Sequence, residues 1–200
     1  MTPKPFSAAC ERNRDPILGV LRTYFADRRQ VLEVGSGSGQ HAVYFAAALP
    51  QLIWQTSERA EHLAGLRLWL DEAVLANTPA PLPLDVGGTW PAGPFDAVFS
   101  ANTLHIMSWP EVETFFAALP AICAADAKLA VYGPFNEGGT FTSASNAAFD
   151  RSLKSRDARM GIRDVEAVDA LARSAGFNRL DDVAMPANNR CLVWQRGPAA

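Results

Sequence analysis

The segment VLEVGSGSGQH, residues 31–41, restricts the possible folds more than any other part of the chain. An apolar strand runs straight into Gly35, Gly37 and Gly39, and a helical pattern, HAVYFAAAL, starts at once. Glycines at these positions let the backbone turn sharply and let a ligand lie directly against it. The spacing is GxGxG, so the third glycine comes one residue earlier than in the GxGxxG dinucleotide fingerprint. Glu33 sits in the strand just ahead of the turn. A carboxylate there is an awkward neighbour for a pyrophosphate and suits a ligand carrying an ammonium or sulfonium group.

The rest of the chain repeats the alternation of strand and helix. QVLEVG, QLIWQTS, PLPLDV, FDAVFSAN, KLAVYGPF, NRLDDVAMP and RCLVWQR read as strands. Asp15 and Pro16 are expected to cap and open a helix over ILGVLRTYF. EHLAGLRLWLDEAVLAN reads as one long amphipathic helix, Ser108 and Pro110 open a helix through EVETFFAALPAIC, and Asp164 is expected to cap VEAVDALARSAG, ending at Gly176. Such alternation predicts an α/β domain with a parallel sheet and right-handed crossovers. The last two strands, joined by PANN, predict an antiparallel hairpin at a sheet edge. We expect a single domain over residues 1–200.

Composition narrows the function classes. The chain has a formal net charge of −3, which provides no basic field for a polyphosphate backbone. No apolar run approaches the roughly 20 residues that span a bilayer. The N-terminal segment lacks the apolar core of a secretory signal. The three cysteines, Cys10, Cys123 and Cys191, are scattered without CxxC spacing. That points to a reducing, cytoplasmic setting and to no structural metal. Nucleic acid and membrane are therefore not expected partners.

In open α/β sheets the ligand lies beyond the carboxyl ends of the strands. Three successive strands here end near an acid: Glu33, Glu58 and Asp85. Glu58, with Ser57, stands where hydrogen bonds to ribose hydroxyls are made in nucleoside-binding domains, and it equally suits the first turn of the next helix. Asp85 could accept from an adenine amino group while the N–H of Val86 donates to a ring nitrogen. The bland alternative is a strand-end residue shaping the turn into Gly87–Gly88.

These segments, VLEVGSGSG, the acid after strand two, LD after strand three and FDAVFSANTLH at strand four, resemble the class I S-adenosylmethionine-dependent methyltransferases. ERNRDPIL, SANTLHIMSW, YGPF, FTSASNAAFD, GIRD and MPANN are together similar to a methyltransferase-like family catalogued as domain of unknown function 938. The resemblance implies a Rossmann-like fold, with a seven-stranded, mostly parallel sheet of order 3-2-1-4-5-7-6 and strand seven antiparallel. It implies S-adenosyl-L-methionine as cofactor, S-adenosyl-L-homocysteine as product, and no metal. It places Gly35, Ser36 and Gly37 at the methionine moiety, with Glu33 orienting its ammonium. Glu58 falls at the ribose, Asp85 and Val86 at adenine, and Ala101 and Asn102 at the rest of the methionine pocket. The acid after strand two is Glu where Asp is the usual residue. Arg12 and Asn13, in a segment 1–27 expected to cover the site, are candidates for the methionine carboxylate; the alternative for Arg12 is a solvated helix entry.

Methyl transfer from a sulfonium is an in-line displacement, so the protein mainly aligns the nucleophile and excludes water. His105 is the candidate for proton removal or acceptor orientation, or else a pocket wall. Trp109, Tyr132, Phe135, Asn136 and Asn188 are candidates for the acceptor pocket, with Phe141, Glu137 and Asn189 nearby. The polar stretch 136–163 is expected to be a lid. His41 is expected to pack or to touch the cofactor, and His62 to be solvated. NTLH after strand four lacks the Asn/Asp-Pro-Pro-aromatic box of base-amino methylation, so a small-molecule acceptor is expected. Two rival readings remain open, a nicotinamide-dependent oxidoreductase and a non-catalytic cofactor sensor.

Overall fold

The computed structural model describes residues 4–197. Residues 1–3 and 198–200, the two ends of the expected 1–200 domain, lie outside the described residues. Seven strands form one sheet: β1 (Gln30–Val34), β2 (Ile53–Glu58), β3 (Leu82–Pro83), β4 (Phe95–Ala101), β5 (Cys123–Gly133), and a terminal pair taken up below. The helices are α1 (Ala8–Tyr24), α2 (Gln40–Ala48), α3 (Leu63–Ala73), α4 (Trp109–Ile122), α5 (Ala144–Arg156) and α6 (Val165–Ser174). Two short strands, β6 (Phe135–Asn136) and β7 (Arg163–Asp164), pair with each other outside the main sheet. The terminal pair is β8 (Phe177–Met185) and β9 (Asn189–Arg196).

The main sheet has the order β3-β2-β1-β4-β5-β9-β8. With β6 and β7 set apart, this is the expected 3-2-1-4-5-7-6. β1, β2, β3, β4 and β5 are parallel, while β9 is antiparallel to both β5 and β8. The fold is thus the Rossmann-like methyltransferase architecture that the resemblance implies. Strand order reverses between β1 and β4, which opens a crevice at their carboxyl ends.

Both sheet faces are covered, and alternate strand residues divide between them. Val31, Trp54, Phe99 and Val193 pack under α1, α2 and α3 against Ile17, Leu21, Phe45 and Leu66. Leu32, Val98, Leu129 and Trp194 pack under α4 and α6 against Phe115, Phe116, Leu119 and Val168. These strands therefore read as nearly continuous apolar runs, as strands covered on two faces must.

Three local expectations are corrected. α1 starts at Ala8 on an Ser7 N-cap, so Asp15 and Pro16 lie inside it rather than at its start. The Ser7 hydroxyl accepts the Cys10 N–H, and Asn13, Ile17, Val20 and Leu21 form a buried face that begins a full turn before Pro16. The helix expected over residues 61–77 is a short 3-10 turn (Ala60–His62) followed by α3 alone. Val74 ends it in the left-handed conformation at φ 50°, where the apolar stripe has already run out onto an 83% exposed side chain. Asp164 holds the N-cap position of α6 but makes no side-chain cap bond. Gly176 does follow the helix at φ +82°, and its N–H closes on the Arg173 carbonyl.

Candidate functional site

The glycine turn is set by what each Cβ would meet. At Gly35, φ +76°, a Cβ would fall 2.8 Å from Cγ2 and Oγ1 of Thr103, so the β1 turn lies against the loop after β4. At Gly39, φ +93°, it would fall 2.6 Å from Leu66 Cδ1 and 3.3 Å from the Leu66 carbonyl. The third glycine thus admits α3 close against the start of α2. At Gly37, φ +55°, a Cβ would meet nothing within 4 Å. The middle glycine faces open space.

That space is a cavity of about 460 Å³ at the carboxyl ends of β1 to β4. Gly35, Ser36, Gly37 and Ser38 form one wall; Glu58, Arg59, Asp85 and Val86 form the rim beyond β2 and β3. Ala101, Asn102, Thr103 and His105 contribute from β4 and the loop after it. Ser7, Ala9 and Cys10, at the start of α1, close the side. The structure therefore brings together Gly35, Ser36, Gly37, Glu58, Asp85, Val86, Ala101, Asn102 and His105 from four separate stretches of chain.

Glu58 bridges the turn. Its Oε2 accepts the Gly37 N–H at 2.7 Å and its Oε1 accepts the Arg59 N–H at 2.8 Å. Asp85 Oδ1 accepts the Gly87 N–H at 3.0 Å, and Oδ2 lies 3.5 Å from Arg59 Nε. Glu33 is buried behind the turn instead of lining the cavity. Its Oε2 accepts from Ser36 Oγ at 2.9 Å and from Trp54 Nε1 at 3.0 Å. Burial pushes this carboxyl up to about 7, against the pull of those two hydrogen bonds and with the Glu58 charge adding to the rise. Ser57 does not reach the ribose position, because it is fully buried and its hydroxyl donates to the Glu33 carbonyl at 2.7 Å.

The N-terminal box also differs from expectation. Because α1 begins early, Arg12 and Asn13 are helical and neither lines the cavity. Arg12 is exposed; Asn13 is buried with its Oδ1 2.7 Å from His41 Nε2. His41 stacks on Phe45 and borders the cavity, and burial lowers it to about 4. His62 is exposed.

His105 is buried in the loop between β4 and α4. Burial, with the Arg163 and Arg156 charges behind it, lowers its imidazole to about 4, so it is neutral near pH 7. Phe149 from α5 meets it edge-on at 5.2 Å between ring centroids. Its carbonyl accepts the Gly161 N–H at 3.0 Å. Arg163 donates to the carbonyls of Leu104, Met107 and Arg159. Segment 157–163 therefore clamps the loop that carries His105.

Of the expected acceptor residues, Trp109, Tyr132, Phe135 and Asn136 do not line this cavity. Tyr132 points to the α1 face and Phe135 to the α4 face, both within the core. Trp109 packs at the edge of the core under the Arg163 guanidinium, 6.0 Å away. Asn136 lies in β6 with its Oδ1 buried and without a partner. Ile106, Met107, Glu111 and Phe149 line the cavity in their place. Asn188 lines a second, smaller cavity together with Asn102 and Phe149. Phe149 could have been found from sequence only as an apolar residue on a polar helix; Thr103 and Ser7 leave no signal at that level.

Solved methyltransferase chains superpose on this fold. An O-methyltransferase family protein from Burkholderia thailandensis matches at TM-score 0.82 and 16% identity, over 93% of this chain and 57% of that one. The S-adenosylmethionine-dependent methyltransferase SibL matches at 0.79 and 21%, over 95% and 56%. PigF with SAH matches at 0.76 and 17%, over 90% and 61%. This chain thus spans little more than half the length of those chains, and at such identities the likeness concerns the fold. At the level of sequence, the family model described as "Protein of unknown function (DUF938)" matches residues 4–196, and the chain belongs to that family.

Proposed function

We propose that the protein is an S-adenosylmethionine-dependent methyltransferase (EC 2.1.1.-) acting on a small-molecule acceptor. One observation carries this reading: the open face of Gly37 and the carboxylates of Glu58 and Asp85 converge on a single cavity at the sheet's switch point. The donor set fits the nucleoside. A glycine turn supplies backbone amides, two acids at the ends of β2 and β3 accept from ribose and adenine, and Val86 offers its N–H. The volume is within the usual range for small-ligand sites. The names of SibL and PigF with SAH support the same cofactor.

When bound, the cofactor supplies an electrophilic methyl on a sulfonium leaving group. The chain's own residues do the rest. Glu58 exchanges the Gly37 N–H, or shares it, for ribose hydroxyls. Asp85 turns from Arg59 towards the adenine edge. The methionine carboxylate meets the first turn of α1, where Ala9 and Cys10 line the cavity, rather than Arg12. Glu33 works at one remove: it fixes Ser36 and so the shape of the turn. His105, held neutral, is a weak proton sink, so it orients the acceptor rather than storing its proton. The segment 136–163 serves as a lid over the acceptor side, and α1 covers the cofactor side. Among the described residues no helix is long and apolar enough to cross a membrane. The three free cysteines support a cytoplasmic setting.

Calorimetry with S-adenosylhomocysteine and with NADH tests the reading. We expect saturable binding of the nucleoside alone. Tight NADH binding with no heat from S-adenosylhomocysteine would move the protein to hydride transfer. For His105→Gln we expect lost turnover with cofactor affinity kept; wild-type turnover would make His105 a wall.

A further inference from the structure

The second cavity, of about 320 Å³, lies between the start of α5 and the β8–β9 turn. It shares Asn102 and Phe149 with the cavity at the glycine turn, so one asparagine and one aromatic ring form the partition between two chambers. Its outer wall holds Asn146, Ala187, Asn188 and Asn189, and no charged residue lines it.

Two features set this chamber apart. Three of its residues hold left-handed backbone without being glycine: Asn102 at φ 59°, Ala187 at φ 58° and Asn188 at φ 57°. Such conformations are strained and persist where surrounding structure or function requires them. The second feature is the orientation of its amides. Asn146 Nδ2 donates to Thr142 Oγ1 at 3.0 Å and to the Asn188 carbonyl at 3.1 Å. Asn189 Nδ2 donates to the carbonyls of Pro186 at 3.1 Å and Ala187 at 3.3 Å. Asn188 Nδ2 donates to Ser145 Oγ at 3.1 Å. Backbone carbonyls accept only, so they fix which end of Asn146 and Asn189 is nitrogen. The amide nitrogens of Asn146 and Asn189 are thus spent on protein acceptors, and among the described residues no donor meets their oxygens; the Asn188 amide faces a hydroxyl that can donate or accept. The cation next in the chain, Arg190, is already held by Asp182 at 2.5 Å and Glu137 at 3.2 Å.

We infer that this chamber is the acceptor site, built for an uncharged or cationic molecule that presents N–H or O–H donors, and closed to anions. The inference rests on the methyltransferase reading for the word acceptor. The chamber's chemistry stands independently of it. Phe149 packs one face of the occupant, and the amide oxygen of Asn189 receives its donors together with that of Asn188, whose nitrogen then stays on Ser145 Oγ. The group to be methylated reaches the first cavity past Asn102.

Fluorine NMR with two sets of size-matched aromatic fragments tests this. One set carries donors (anilines, benzamidines, hydroxyarenes); the other carries acceptors alone (aryl ethers, nitriles, benzoates). S-adenosylhomocysteine is present at saturation. We expect line broadening confined to the donor set, at least fivefold weaker in both Asn188→Leu and Phe149→Ala, with nucleoside affinity in Asn188→Leu, which lies outside the first cavity, within twofold of wild type. Equal binding of the two sets, preference for benzoates, no binding by either set, or donor binding undiminished in both variants would overturn the inference. Failure of S-adenosylhomocysteine to bind counts against the methyltransferase reading alone, since the fragment comparison can be read without it.

Discussion

Both ends of the cleft need left-handed backbone, and they obtain it differently. At the β1 turn, Gly35, Gly37 and Gly39 supply it without strain. At the far end Asn102, Ala187 and Asn188 supply it with side chains retained. The glycine end is shaped so that nothing projects: one missing Cβ makes room for Thr103, another for Leu66, and the third leaves open space. The asparagine end keeps its side chains because they wall a chamber. Where a ligand lies on backbone, evolution can use the residue with the most conformational freedom. On the proposed reading amides recognise the ligand at that end, and strain of about 1–3 kcal/mol per residue is tolerated there.

The comparison can be broken most forcefully at Gly39. Gly39→Val drives a branched side chain into Leu66 and its carbonyl while holding φ at +93°, and we expect about 4 kcal/mol of lost stability, seen as a melting temperature lower by roughly 10 °C. A variant melting like wild type would show that the α2–α3 approach is loose. Next in size is Asp85→Ala, for which calorimetry should record nucleoside binding weaker by about 1–3 kcal/mol. Unchanged affinity in the folded variant would move the adenine contact elsewhere.

A pH titration of stability compares the two ends through their histidines. His41, beside the glycine turn, and His105, in the loop after β4, are both lowered by burial to about 4 against an ordinary 6.5. The unfolded chain binds those two protons where the folded one does not. Stability from these groups is therefore complete above 6.5 and is lost as pH falls towards 4. Glu33 runs the other way: raised from 4.5 to about 7, it takes stability away as pH rises through that range. Where the windows overlap, two histidines oppose one glutamate. The net slope is upward with pH, at most about 1.4 kcal/mol per unit. Denaturant midpoints across pH 4.5–6.5 check it: Glu33→Gln should steepen the rise and His105→Gln should flatten it. A downward wild-type slope would mean that the histidines are not held neutral.

The smallest effects come from removing left-handed strain. Val74→Gly, far from either cavity on an exposed helix end, should stabilise by about 1 kcal/mol and leave binding alone. Asn188→Gly should gain a similar amount while losing the donor-bearing fragments. If Asn188→Gly kept them, the strain at that end would have no ligand to explain it.

The fold was readable because its strands are apolar on both faces and its turns carry glycine; VLEVGSGSG alone located β1, its crossover and the crevice. The position of Glu58, Asp85 and Val86 at the cavity rim was readable because a parallel sheet puts every strand end on the same side. Arg12 was not, since Ser7, an ordinary residue, caps α1 early and turns the arginine to solvent. Tyr132, Phe135 and Trp109 looked like pocket walls because aromatics near a strand end serve either a site or a core, and here they serve the core. Phe149 was missed for the complementary reason. It sits on a helix with little amphipathic pattern and gains its role only when that helix is laid across the sheet.

Arg163 has a consequence for motion. Its guanidinium ties three carbonyls together, two from the loop bearing His105 and one from the segment beyond α5, and the Gly161 amide adds a fourth tie. Segment 157–163 and the histidine loop should then open as one cooperative unit rather than as two. Their amides would exchange hydrogen with solvent at a common rate, and any opening of this segment would loosen His105 at the wall of the first cavity.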